Sequence, residues 1–100
     1  MVENESLNIA KEYADKIRKI FYSSKVYLFG SFAKGTQHNE SDIDIAVILD
    51  DYNDRLEIMM ELMRLRRNID GRIEPHPFRL NEFNTNNILA SEILQHGIEI

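Results

Sequence analysis

The chain has 100 residues, a formal net charge of −5 and no cysteine. That length predicts one domain, residues 1–100, with a single modest core. The absence of cysteine excludes a disulfide framework and a thiolate metal site, and no run of about 18 apolar residues is present to span a membrane. The acidic start, MVENESLN, lacks the basic and apolar regions of a signal peptide, so a cytoplasmic protein is expected. The negative charge argues against a nonspecific nucleic-acid binder, which usually carries a basic face.

Residues 5–22 predict an amphipathic helix. Leu7, Ala10, Ala14, Ile17 and Phe21 recur at helical spacing, flanked by Tyr13 and Ile20. Asn4 or Ser6 is the candidate cap. Ser23-Ser24-Lys25 is a turn, and Val26 to Phe29 a first strand. Gly30-Ser31 breaks that strand. Glycine allows a tight turn and close approach of a phosphate to the backbone. The serine hydroxyl and neighbouring N–H groups can donate hydrogen bonds to phosphate oxygens, aided by a short helix starting here. Lys34 either adds positive charge beside the phosphates or is a solvated lysine. Gly35 is expected to end the short helix, and Thr36 to Glu40 to form a loop.

Asp42 and Asp44 open a second strand, Ile43 to Leu49. Residues two apart on a strand point to one face, so the two carboxylates should lie side by side. Paired carboxylates repel each other, and a divalent cation removes that cost. Mg²⁺ characteristically uses one or two carboxylates plus substrate phosphates. The pair therefore reads as a metal site completed by a phosphorylated ligand. The run Ile45 to Leu49 is apolar on both faces, the pattern of a central strand. Asp50 and Asp51 are expected to be solvated and to initiate the next helix.

That helix is predicted over residues 53–69, capped by Asn53 or Asp54. Leu56, Ile58, Met59, Met60, Leu62, Met63, Leu65 and Ile69 span an arc of roughly 220° at about 100° per residue. A surface helix needs little more than ~100°. The surplus should meet either a second internal neighbour or a partner, and methionines suit adaptable contacts. Asp70-Gly71 is a turn, and Arg72 to Phe78 a third strand whose prolines confine it to a sheet edge or end. Glu74 shares a face with Arg72 and His76. An edge glutamate paired with Arg72 or Arg79 is the plain alternative to a functional one. His76 is expected to be an ordinary edge histidine, with contact to a bound nucleotide as the alternative. Asn81 or Thr85 should cap a last helix through Gln95, with Ile88, Leu89, Ile93 and Leu94 facing inward. Ile98 to Ile100 alternates and suggests a short edge strand.

Gly30-Ser31, ten residues, then Asp42-Ile43-Asp44 resembles the signature of the polymerase-β-like nucleotidyltransferases. The short chain is similar to the minimal nucleotidyltransferases, the MNT antitoxins that partner HEPN toxins. The likeness is dense over residues 25–50 and looser to residue 100. It implies a mixed α/β (α+β) nucleotidyltransferase fold, a small mixed sheet with helices packed on it. It implies an enzyme whose Asp42 and Asp44 bind Mg²⁺, with Glu74 as third acid in place of the family's more usual aspartate. Gly30 and Ser31 would hold the phosphates of ATP. The implied reaction is transfer of AMP to a tyrosine hydroxyl of a cognate HEPN ribonuclease toxin, with no direct nucleic-acid or membrane partner. Two rival readings stand: an antitoxin that neutralises by binding alone, its site degenerate, and a nucleic-acid-directed transferase, a class that normally needs extra domains to grip the strand.

Overall fold

The computed structural model describes residues 4–30 and 42–100. The expectations for Ser31, Lys34, Gly35 and the loop to Glu40 lie outside the described residues. Four strands form one mixed sheet: β1 (Lys25–Phe29), β2 (Ile43–Leu49), β3 (Ile73–Arg79) and β4 (Ile98–Glu99), in the order β3-β2-β1-β4. β1 runs antiparallel to β2 and β4, whereas β2 and β3 are parallel. The helices among the described residues are α1 (Asn4–Ile20), α2 (Arg55–Leu65) and α3 (Ile88–His96), with a 3-10 turn at Leu80–Glu82.

β2 is the central strand that its apolar run predicts. Ile43, Ile45, Val47 and Leu49 pack with Ala10, Tyr13, Ala14 and Ile17 of α1 and with Ile58 and Leu62 of α2. Ala46 and Ile48 face the other way, against Phe29, Phe78 and the Ala90 and Ile93 of α3. Burial on both faces makes β2 a rigid mount for whatever its first residues carry.

α1 differs from its predicted stripe at two flanking positions. Tyr13 is fully buried and Ile20 is 49% exposed. The Tyr13 hydroxyl donates to the Leu62 carbonyl at 2.6 Å, in the last turn of α2, where carbonyls lack intrahelical partners. Burial raises the Tyr13 pKa, so the hydroxyl stays protonated as a donor. The helix starts at Asn4, which places Ser6 inside it rather than at the cap.

α2 is shorter than the predicted 53–69. Asp54 caps it, its side chain accepting from Leu56 N at 2.9 Å. Beyond Leu65 the backbone closes i→i+3 bonds, Arg67 N to Arg64 O and Ile69 N to Arg66 O, which tighten the chain out of the helix. Only Ile58 and Leu62 of the wide apolar arc are buried, and Leu56 and Met60 are 68% and 56% exposed. The helix meets α1 as well as the sheet, through Ile58, Leu62 and the Tyr13 hydrogen bond, so part of the arc has a second internal neighbour while Leu56 and Met60 stay exposed.

β3 is an edge strand among the described residues, as its prolines require. Pro75 and Pro77 have no N–H to leave bare, and the outward carbonyls of Ile73 and Pro77 are taken by Arg66 (2.9 Å) and Arg55 (3.0 Å). That covering protects an edge that would otherwise invite pairing. α3 starts later than predicted, capped by Asn87, whose side chain accepts from Ala90 N at 3.0 Å. The inward face is therefore Ala90 and Ile93. Of the four residues expected there only Ile93 is buried, while Ile88 is exposed.

Candidate active site

The site lies where β2 and β3 begin. The parallel register sets Ile43 beside Ile73, Asp44 beside Glu74 and Ala46 beside His76, and Ile43 N donates to Arg72 O at 2.8 Å just before it. Period-2 alternation then turns Asp42, Asp44, Glu74 and His76 to the α3 face, while Ile43, Ile45 and Ile73 anchor the same strands in the core. Asp42 and Glu74 are exposed and Asp44 is half-buried.

The carboxylates crowd. Glu74 is held above the ordinary glutamate range, first by a side-chain hydrogen bond with Asp42, then by partial burial and the charges of Asp42 and Asp44. His76 opposes that shift. Asp44, Glu74 and His76 each offer one donor atom, all within 4.8 Å of one another. Oxygen-rich donors at this spacing fit a hard divalent cation.

Gly30 closes the Asp44 side. It follows β1 directly after Phe29, the residue paired with Asp44. Its φ is +75°, and a β-carbon there would stand 2.4 Å from Asp44 Oδ2. Only glycine supplies both the left-handed backbone and the space for the carboxylate. On the opposite side a groove of about 310 Å³ opens between β3 and α2, lined by Asp42, Glu74, Pro75, Met59, Met63 and Arg66. A larger hollow of about 380 Å³ at the start of α2 contains none of these acids.

Asp42, Asp44, Glu74 and Gly30 thus come together, and Ser31 and Lys34 lie outside the described residues. Glu74 meets acids, and Arg79 sits at the far end of β3 with Asp51 and Glu82. His76 departs from its expectation as an ordinary edge histidine. Its Nε2 lies 3.1 Å from Asp44 Oδ1, and its ring meets Phe29 edge-on at 4.9 Å. The alternation Glu74-x-His76 was a usable signal, but the diagonal reach to Asp44 depends on strand register. Asp50 and Asp51 lie at the other end of β2, Asp50 accepting from Ser23 Oγ and Asp51 from Arg79.

Comparison with known proteins places this geometry. The chain is 28% identical over 98 residues to the protein adenylyltransferase MntA of Shewanella oneidensis, a match covering 98% of this chain and 63% of that protein. It therefore spans somewhat less than two thirds of that curated relative. Among solved structures it is similar to a toxin–antitoxin crystal structure with AMP-PNP (29% identity, TM-score 0.70, covering 97% of this chain and 72% of that one). It is also similar to a toxin–antitoxin structure of MntA in which two aspartates are changed to glutamate (27% identity, TM-score 0.69, with the same coverage). The family described as polymerase beta, nucleotidyltransferase matches residues 7–100, and the chain belongs to it.

Proposed function

We propose that this chain is a minimal nucleotidyltransferase domain that acts as an antitoxin, moving AMP from ATP to a tyrosine hydroxyl of a HEPN-class toxin. The observation that carries the reading is the convergence of Asp42, Asp44 and Glu74 at one end of β2 and β3, with Gly30 against Asp44. Its relatives support the donor and the partner, since one is a protein adenylyltransferase and another a toxin–antitoxin structure with AMP-PNP.

Asp42, Asp44 and Glu74 would hold Mg²⁺, which supplies charge neutralisation at the attacking and leaving oxygens. Gly30, with Ser31 and Lys34 beyond it, would seat the phosphates. The tyrosine oxygen attacks the α-phosphorus, the bond from that phosphorus to the bridging oxygen breaks, and pyrophosphate leaves with the electron pair. Glu74 accepts the hydroxyl proton and passes it to solvent. Such chemistry is mostly positioning and electrostatics, so a few rigidly mounted residues suffice. The acceptor enters from the groove beside Asp42 and Glu74, and the Met59–Met63 wall suits an apolar protein segment. A partner that brings the hydroxyl already oriented makes the step effectively unimolecular. An ATP donor puts the reaction in the cytoplasm. No helix among the described residues is long and apolar enough to cross a membrane.

The test is α-labelled ATP and Mg²⁺ with the chain and its HEPN partner, with total RNA and aminoglycosides in parallel. Label on a partner tyrosine is expected. Label on RNA or drug and none on the partner would overturn the reading. Tight complex formation with no label on anything would favour neutralisation by contact.

A further inference from the structure

We propose that His76 is a nitrogen ligand of the metal site, and that the site therefore prefers an ion of the Mn²⁺–Co²⁺ kind to Mg²⁺. The inference rests on the metal reading above and adds to it a ligand and a metal class.

Three observations meet at this residue. His76 Nε2 is 3.1 Å from Asp44 Oδ1, on the metal-facing side of the strands. One donor atom from each of Asp44, Glu74 and His76 falls within 4.8 Å of the others, so a single ion reaches all three. The imidazole is also fixed in place. Phe29 meets it edge-on at 4.9 Å, and its cross-strand neighbour is Ala46, whose methyl group leaves the ring room over the sheet. The side chains of His76 and Asp44 are only 24% and 25% exposed. A ligand held on a rigid strand loses little entropy on binding an ion.

The donor set decides the metal. Mg²⁺ favours oxygen, demands near-ideal octahedral geometry and keeps several waters. Imidazole suits first-row transition ions, and carboxylates suit Mn²⁺ as well as Mg²⁺, so a set of two carboxylates and one histidine is one a first-row ion takes more readily than Mg²⁺. Divalent affinity at nitrogen-containing sites rises from Mn²⁺ through Co²⁺, so replacing an oxygen ligand by His76 moves preference away from Mg²⁺.

The competing role is that His76 only orients Asp44 by a hydrogen bond, as outer-sphere groups do. That role would weaken Mg²⁺ and Mn²⁺ binding by the same factor and would place no nitrogen on the ion. The experiment is pulsed electron paramagnetic resonance on the chain with Mn²⁺ alone, at natural abundance and with ¹⁵N-histidine. A nitrogen coupling that changes with the isotope and disappears in His76→Asn is expected. In parallel, Mn²⁺ and Mg²⁺ titrations of wild type and His76→Asn should show Mn²⁺ affinity falling by a clearly larger factor than Mg²⁺ affinity. Circular dichroism checks that the variant is folded, and the isotope comparison on wild type stands without it. Bound Mn²⁺ with no histidine nitrogen coupling overturns the proposal, as does an equal loss for both ions. If wild type binds neither ion, the metal reading of Asp42, Asp44 and Glu74 falls as well.

Discussion

The two ends of the β2–β3 pair carry charge in opposite ways. At the far end Arg79 is surrounded by acceptors. Its guanidinium bonds Asp51 at 2.9 Å, Glu82 at 3.3 Å and the Tyr52 carbonyl at 2.9 Å, and stacks on the Tyr52 ring at 4.2 Å. At the near end Asp42, Asp44 and Glu74 gather, and among the described residues the basic group hydrogen-bonded to one of them is His76, while Arg66 and Arg72 line the groove beside Asp42 and Glu74. The same two strands mount both groups, so strand geometry does not separate them. What differs is balance. A structural ion pair neutralises itself, whereas the acidic end holds repulsion that a cation or a substrate complex can relieve.

That contrast predicts different consequences for deleting charge at each end. The largest effect belongs to Asp44→Asn. Asp44 stands between Gly30, His76 and Glu74, and the substitution removes one charge from the proposed metal site at unchanged size. Turnover of labelled ATP onto the partner should fall at least ~100-fold, or about 2.7 kcal/mol in barrier terms. The circular dichroism spectrum should be unchanged, because the residue sits at the end of a strand anchored by Ile43 and Ile45. Wild-type turnover in this variant would place the metal elsewhere. Arg79→Ala should do the reverse. It removes a stacked and multiply bonded guanidinium from the balanced end, so the melting temperature should drop by a few degrees while transfer onto the partner is unchanged. A loss of transfer at full stability would erase the distinction between the two ends.

Much of this arrangement was legible in the sequence because it depends on local periodicity. Alternation placed Asp42 and Asp44 on one face, the unbroken run from Ile45 to Leu49 marked a central strand, and Pro75 and Pro77 marked an edge. Features that depend on two elements meeting were not legible. Whether Glu74 faces Asp44 or an arginine is set by the parallel register of β2 and β3, and no local signal encodes that register. The contact of His76 with Asp44 was not legible for the same reason. The inward face of α3 was misplaced: Asn87 caps the helix two residues after Thr85 and six after Asn81, and packing against the sheet selects Ala90 and Ile93 as the buried face. α2 stops early where Arg66 turns back to bond the Gly71 and Ile73 carbonyls, a contact between a helix end and an edge strand.

The smallest effect is the sharpest probe of the imbalance. Glu74 is held above the ordinary glutamate range by its hydrogen bond with Asp42, by partial burial and by neighbouring carboxylates. A carboxyl whose folded-state pKa is raised stabilises the fold below its unfolded value, and that contribution is lost as pH rises through the folded value. At neutral pH without a divalent ion, ionised Glu74 is therefore a net cost. Glu74→Gln removes the charge and keeps the length, so in EDTA at pH 7.5 the variant should melt slightly above wild type. Glu74 is exposed, and solvent screening limits the gain to a degree or two. The gap should close as pH falls below the ordinary glutamate range, where wild type carries the proton itself. It should also close or reverse when Mn²⁺ or Mg²⁺ is added, since only wild type gains a full ligand set. The same variant should transfer AMP slowly while binding ATP nearly as well, because the proposed phosphate seat is at Gly30 rather than at Glu74. A wild type more stable than Glu74→Gln in EDTA at pH 7.5 would mean that the acidic end is already balanced.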